Sequence, residues 1–289
     1  MSVTYTNPYR VEETTTLSLA TDQRDTDPGK TIYVIAAYSG NRRDNYLPYL
    51  NDRTHYLKLH FKKLSQLQHS LNKILIVAPW DENPKNEFER YLASEYPKTV
   101  GTANVSVLRR NNIGMSYGSY SDSFKSETEA ARKWDWWILM EDDNIPVLDH
   151  FDSILKNCFR RKPNCGALWG HISQAERHPS NPWPDYFPVA GCHSCGITTG
   201  PIMDEVWKER GLLPHFTPGE RYEGADQVEF TRSFMVGGRN IEGLNHEYQV
   251  GRMYFYGCVN DIKVVFRNDP GLPLIFAPLQ RPELCGFEG

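Results

Sequence analysis

The chain contains the stretch Trp136-Trp137-Ile138-Leu139-Met140-Glu141-Asp142-Asp143-Asn144-Ile145-Pro146, an apolar run that ends in three consecutive carboxylates. Short runs rich in aromatic and branched side chains are typical of buried strands. Adjacent carboxylates repel one another, but a divalent cation among them compensates the charge, because Mg²⁺ and Mn²⁺ take oxygen ligands. The stretch therefore predicts a strand whose carboxyl end binds a metal, with a solvated acidic loop as the alternative.

Composition and charge are those of an ordinary globular protein. The 289 residues are 39% hydrophobic and 24% charged, and the net charge of −4 is accompanied by no basic stripe, so nucleic acid is not an expected partner. No apolar run approaches the roughly 20 residues that span a bilayer. The polar N-terminus also lacks the apolar core of a signal peptide. We therefore expect a soluble, cytoplasmic protein with no transmembrane segment.

Six cysteines are scattered through the second half of the chain. Cys192 and Cys195 have C-x-x-C spacing, but no second pair follows at the spacing of a zinc finger, so a structural zinc site is not expected. In a cytoplasmic protein these thiols should be reduced, and buried packing is favoured over a redox role. The six are Cys158, Cys165, Cys192, Cys195, Cys258 and Cys285.

Strand and helix patterns alternate in the first half of the chain, which predicts a parallel, doubly wound α/β sheet. The expected strands are residues 31–38, 73–79, 105–108 and 136–141, and the expected helices are 57–71, 86–96 and 121–133. The second half is richer in Pro, Gly, His and Trp. Its expected elements are strands at 166–169 and 264–266 and helices at 203–210 and 227–236.

The order of several motifs resembles that of GT-A fold glycosyltransferases, especially family 2. The loop Asn112-Ile113-Gly114 precedes a helix and then the strand that ends in Glu141-Asp142-Asp143, with Pro146 close behind. Further on, Gly224-Ala225-Asp226 with Arg232 is similar to the family's Gly-Glu-Asp…Arg segment. The chain departs from the family where Glu141 replaces an Asp, where Ala225 replaces a Glu, and where Trp80-Asp81 follows the second strand in place of Asp-x-x-Ser.

The resemblance implies a GT-A fold in one domain over residues 31–289, preceded by an arm at 1–30. Residues 31–146 would form the nucleotide-sugar half and residues 147–289 the acceptor half. The implied reaction is metal-dependent, inverting transfer from a nucleotide-diphosphate sugar, with UDP-sugar favoured, to a hydroxyl of a glycan or glycoconjugate. The alternatives are a sugar-phosphate nucleotidyltransferase and a non-catalytic carbohydrate-binding protein with a degenerate transferase fold.

The resemblance also assigns roles to individual residues. Asp226 would be the general base, with a helix N-cap as the alternative. Asp143 would bind Mn²⁺ or Mg²⁺ directly, with a helix or turn cap as the alternative. Glu141 would be a further ligand or would face the ribose or a metal-bound water, and His246 would be a late metal ligand, with a structural histidine as the alternative. The nucleotide sugar would contact Tyr38, Ser39, Arg43, Asp81, Arg109, Asn112, Glu141 and Asp142, and for Arg109 an ordinary surface charge is the alternative. For the rings of Trp183, Tyr186 and Trp207, stacking on the acceptor sugar and core packing both remain open.

Overall fold

A computed structural model describes much of the chain. The described residues are 29–38, 53–80, 87–170, 172–173, 190–191, 195–211, 230–244, 249–250, 252–256, 263–267 and 274–278. The arm expected at residues 1–30 lies outside them except for its last two residues.

The first half alternates strands and helices as predicted. Its elements are β1 (Thr31–Ala36), α1 (Arg53–Gln66), β2 (Lys73–Pro79), α2 (Glu87–Arg90) continued by a π-helical turn (Tyr91–Glu95), β3 (Thr99–Val100), β4 (Ala103–Arg110), α3 (Met115–Glu129) and β5 (Trp136–Glu141). The prediction for α3 was wrong at its start, because the helix begins at Met115 and not near Ser121. Gly114 takes a left-handed conformation (φ +74°) there and turns the chain directly into the helix.

The second half has shorter elements. They are β6 (Asn144–Pro146), α4 (Phe151–Arg161), β7 (Cys165–Trp169), β8 (Ile172–Ser173), β9 (Ala190–Gly191), β10 (Cys195–Thr199), α5 (Gly200–Arg210), a 3₁₀ turn (Val236–Gly238), β11 (Asn240–Gly243), β12 (Gln249–Val250), β13 (Arg252–Tyr256), β14 (Lys263–Arg267) and β15 (Leu274–Pro278). The helix expected at 227–236 is helical at 230–233 among the described residues.

Eight strands form the main sheet, in the order β11-β7-β10-β5-β1-β2-β4-β3. The pairs β1–β2, β1–β5, β2–β4 and β7–β11 are parallel, while β10 runs antiparallel to β5 and β7, and β3 runs antiparallel to β4. The sheet is therefore mostly parallel, and the predicted α/β class is confirmed as a Rossmann-like fold. We call the edge at which the parallel strands end the carboxyl edge. Ligands of open α/β sheets bind at this edge.

A small second sheet supports the acidic stretch. After β5 the chain turns at Asp142-Asp143 and continues as β6, which pairs antiparallel with β15 through Asn144↔Pro278 and Phe276↔Pro146. The turn that carries Asp142 and Asp143 thus lies between two paired strands. The incoming strand, β5, belongs to the main sheet, and the outgoing strand, β6, pairs with β15.

One hydrophobic core joins the main sheet to β15. Strands β1 and β2 are buried along their whole length, as is β5 up to Met140. The rings of Tyr33, Phe151 and Phe276 meet edge to face, with centroids 5.9 and 6.3 Å apart. Aromatic pairs of this kind add about 0.5–1.5 kcal/mol beyond their buried area.

Three of the cysteines are described, and all three are buried: Cys158, Cys165 and Cys195. Burial raises the pKa of Cys165 to about 12, so its thiol stays protonated and unreactive at neutral pH. The expectation of buried packing is confirmed for these three, whereas Cys192, Cys258 and Cys285 lie outside the described residues. Among the described helices, none has the length and apolar character needed to cross a bilayer.

A buried ion pair fixes α3 at the opposite edge of the sheet. Lys73 Nζ at the start of β2 donates to Glu127 Oε1 at 2.5 Å, with side-chain exposures of only 8% and 3%. Glu127 also accepts from Trp134 Nε1 (2.9 Å) and Arg132 Nη1 (3.3 Å). The carboxylate thus satisfies three donors, and the burial of Lys73 depends on it.

Glu127→Ala should therefore destabilise the protein by about 3–5 kcal/mol, because it leaves a buried ammonium without its counterion. Urea unfolding monitored by far-UV circular dichroism measures the change. Glu129→Ala is the matched control: Glu129 lies on the same helix, but its contact with Lys125 is exposed, so this change should have little effect. Equal losses in the two variants would contradict the role of the buried pair.

Candidate functional site

The three carboxylates at the end of β5 occupy different environments. Asp142 is only 4% exposed. Its Oδ2 accepts from the Tyr38 backbone N–H at 3.1 Å, and its own N–H donates to Ala36 O at 3.2 Å. Asp142 thus ties the acidic turn to the chain that leaves β1. The prediction that Asp142 contacts the nucleotide receives no support from this geometry, since the carboxylate turns towards the backbone of Tyr38.

Glu141 and Asp143 flank this inward residue and are both half-buried. Glu141 Oε1 accepts from Ser116 Oγ at 2.9 Å, and Ser116 lies in the first turn of α3. The acidic turn therefore lies beside the helix N-terminus, whose unpaired N–H groups and positive dipole favour anions. Alternate carboxylates at the carboxyl edge and an adjacent helix start form an oxygen-rich, partly solvated site.

A buried histidine lies beneath the turn. His60 of α1 is fully buried, with its Nε2 2.9 Å from the Tyr33 hydroxyl and its Nδ1 3.5 Å from Asp142 O. Burial lowers the pKa of His60 to about 4, although the Asp142 carbonyl and the Asp143 charge oppose the shift. The ring is thus neutral at pH 7 and links the turn to the core. In the sequence, His60 shares the helical spacing of the apolar residues Leu57, Phe61 and Leu64, and a histidine on such a face is the available signal.

Arg110, the last residue of β4, holds the loop that follows this strand. Its Nε donates to Asp122 Oδ2 at 2.5 Å, and its Nη2 donates to Ile113 O. Gly118 lies so close that a Cβ there would overlap both Ile113 O and the Arg110 guanidinium. This contact fixes the loop at the start of α3 and leaves Asn112 exposed at the carboxyl edge.

Arg109 also lies at this edge, but it is already engaged. Its Nη2 forms an ion pair with Glu89 of α2, and its Cζ lies 4.5 Å from the centre of the Trp80 ring. The guanidinium therefore supports Trp80. This arrangement gives no support to a direct contact between Arg109 and a nucleotide.

Of the remaining predicted site residues, two are described by the structure and the others are not. Tyr38 is described, and its backbone N–H lies in the site through Asp142. Trp207 packs against Phe124 with centroids 5.6 Å apart, so the structure favours core packing over a sugar contact. Those outside the described residues are Ser39, Arg43, Asp81, Asp226, His246, Trp183 and Tyr186.

Among the described residues, no group of three or more His, Cys, Asp or Glu side chains is placed to hold a metal. Glu141 and Asp143 nonetheless carry carboxylate oxygens, which are the ligands that a hard divalent cation takes. The proposed third ligand, His246, is outside the described residues, and a diphosphate would supply further oxygens. The donor set is therefore compatible with Mg²⁺ or Mn²⁺ bound together with a phosphate group.

No family model matches the chain, and no curated protein matches it. Among solved structures, the chain is similar to CMP:2-keto-3-deoxy-manno-octonic acid synthetase complexed with CTP, with 12% identity and a TM-score of 0.44. The likeness covers 74% of this chain and 89% of that one. At this distance it assigns no activity, and membership of glycosyltransferase family 2 stays a prediction.

The low pKa of His60 should make stability fall in acid. The unfolded histidine binds a proton near pH 6.5, whereas the folded one does so only near pH 4. Stability is therefore lost as the pH falls from 6.5 to 4, by about 3 kcal/mol in total, since one pKa unit is worth about 1.36 kcal/mol.

Urea unfolding at pH 7 and pH 4.5 measures this loss in the wild type and in His60→Gln, which removes the titrating group and should lose less. His55→Gln, an exposed position on the same helix, should behave as the wild type. If His60→Gln and the wild type lose the same free energy of unfolding, His60 does not titrate as its burial requires.

Proposed function

We propose that the protein transfers a sugar from a nucleotide-diphosphate sugar, with UDP-sugar favoured, to a hydroxyl of a carbohydrate or glycoconjugate acceptor. The observation that carries the proposal is the acidic turn, with Asp142 directed inward and with Glu141 and Asp143 flanking it at the carboxyl edge. The backbone of Tyr38, the exposed Asn112 and the start of α3 surround the same edge. These are groups that bind phosphate and ribose oxygens in sheets of this class.

Asp143 and Glu141 are the residues that would hold Mn²⁺ or Mg²⁺. A cation bound there offsets the negative charge that develops on the departing diphosphate. Ser116 orients Glu141 by donating to its carboxylate, and the inward Asp142 fixes the backbone between the two donors. The start of α3 adds unpaired N–H groups towards the same phosphate oxygens.

The acceptor hydroxyl needs a base, because an alcohol is a weak nucleophile at neutral pH. We assign this role to Asp226, on the resemblance of Gly224-Ala225-Asp226 and Arg232 to the family's motif. A carboxylate on the side opposite the leaving group takes the proton as the new bond forms, and no covalent intermediate is needed. Inversion of the anomeric configuration follows from such a single displacement.

Sugar nucleotidyl transfer is the second candidate. It also requires a metal on phosphate oxygens at a carboxyl edge, so Glu141 and Asp143 suit it equally. The similar CTP-bound synthetase is nearer to this reaction than to glycosyl transfer. The products distinguish the two reactions: glycosyl transfer releases a nucleoside diphosphate, and nucleotidyl transfer from a triphosphate releases pyrophosphate.

Asp143→Asn should preserve the fold and weaken metal-dependent binding of UDP. We expect a loss of about tenfold or more, since even outer-shell changes at metal sites cost about 10–100-fold. Titration calorimetry with Mn²⁺ and with EDTA measures it. Asp204→Asn, an exposed carboxylate on α5, is the control and should bind as the wild type. Equal UDP affinity with and without Mn²⁺ in the wild type would contradict the assignment of Asp143 to a metal.

Asp226→Asn should reduce transfer by about 10²–10⁴-fold, the usual contribution of a general base. Binding of UDP with Mn²⁺ should stay close to that of the wild type. Turnover with a panel of UDP-sugars and NMR of the product measure activity and anomeric configuration. Retained configuration, or a variant that stays active, would leave Asp226 as a helix cap. Release of pyrophosphate from a nucleoside triphosphate would instead favour nucleotidyl transfer.

A further inference from the structure

An exposed aromatic residue lies at the carboxyl edge, two strands away from the acidic turn. Trp80 follows β2 directly and is 61% exposed, and Ile113, in the loop after the neighbouring β4, is 58% exposed. These are the exposed large apolar side chains of the described residues. Single exposed apolar side chains are common on protein surfaces, so the case for a ligand contact depends on how Trp80 is held.

Trp80 is held in place on one side. Its backbone N–H donates to Arg110 O at 3.0 Å, which extends the pairing of β2 with β4. The Arg109 guanidinium lies against the indole ring at 4.5 Å, and Glu89 holds that guanidinium by an ion pair. Cation–π contact and the ion pair together restrict the ring, so its solvated surface is preorganised for a planar partner.

The Arg109 guanidinium is only partly hydrogen-bonded. Its Nε and Nη1 atoms are buried and have no hydrogen-bond acceptor among the described residues. A buried donor left without an acceptor costs about 1–3 kcal/mol, and such groups in a native protein call for an explanation. Among the described residues, the Trp80 ring and Glu89 are therefore what hold the guanidinium in place.

The place of Trp80 in the sheet suits one part of a nucleotide. β1 lies between β5 and β2, so the ends of β5 and β2 are about 10 Å apart across the sheet, because neighbouring strands lie about 4.8 Å apart. The base and the diphosphate of one nucleotide are separated by the ribose, over a comparable distance. Every nucleobase has a π face that can stack on the indole ring, at about 1–3 kcal/mol per base.

From this arrangement we infer that Trp80, supported by Arg109 and Glu89, is the stacking platform for the nucleobase of the donor. The inference rests on the proposed function, since it takes the acidic turn as the diphosphate site. Trp80 contributes affinity for the base, and Arg109 is a positioning residue that keeps the indole ring in place.

The test measures the contribution of the base to binding affinity separately from that of the diphosphate. Calorimetry with Mn²⁺ compares UDP, CDP, GDP and ADP with inorganic pyrophosphate, for the wild type, Trp80→Ala and Trp80→Phe. The wild type should bind at least one of the nucleotides more tightly than pyrophosphate. Trp80→Ala should weaken that nucleotide by about tenfold or more, the usual effect of losing one stacked base, and leave pyrophosphate unchanged. Trp80→Phe, which keeps a π face, should restore much of the loss.

Tyr96→Ala is the matched control. Tyr96 also carries a cation over its ring, with Lys98 Nζ at 3.4 Å, but it lies before β3 at the opposite edge of the sheet. Its removal should not change nucleotide affinity. Unchanged nucleotide binding by Trp80→Ala, or an equal loss for pyrophosphate, overturns the stacking role and leaves the proposed function standing. A wild type that binds none of the nucleotides with Mn²⁺ overturns the proposed function and the stacking role with it.

Discussion

The site depends on the hydrogen bond between the Asp142 carboxylate and the Tyr38 backbone N–H. This bond joins the ends of two adjacent parallel strands and turns the middle one of three carboxylates inward. Repulsion within the triplet is thereby reduced, because one charge is compensated by a backbone dipole. Glu141, the last residue of β5, and Asp143, in the turn, stay half-buried on either side of it. His60, under the turn, adds a neutral contact to Asp142 O without bringing a second charge into the core.

The strands of the first half were predictable because each is an unbroken apolar run. Lys73–Pro79 has the predicted bounds, and β1 and β5 differ by at most two residues from those expected. The start of α3 was missed because its first turns, Met115 to Tyr120, mix serine, glycine and tyrosine with little apolar periodicity. Contacts from elsewhere define it, namely Arg110 on the loop and Ser116 on Glu141. Such contacts join residues that hydrophobic periodicity does not connect.

The candidate site, too, was predicted only in part. The sequence identified the acidic turn, since three carboxylates after a buried strand are conspicuous. It did not show which carboxylate faces inward, because that depends on an amide 104 residues away. Trp80 and Glu89 were missed for a related reason. Only the fold shows that α2 brings an acidic side chain to Arg109, and that Arg109 therefore supports a ring.

The pairing of β6 with β15 has a consequence for the order of biosynthesis. Pro146 and Phe276 pair across 130 residues (276 − 146), so the outgoing arm of the acidic turn gains its partner strand only after these further residues have been translated. A nascent chain that has completed β1 to β5 holds most of the parallel sheet but not the strand that fixes the turn from outside. Because such distant contacts form slowly, ligand competence should arise after the sheet and not with it.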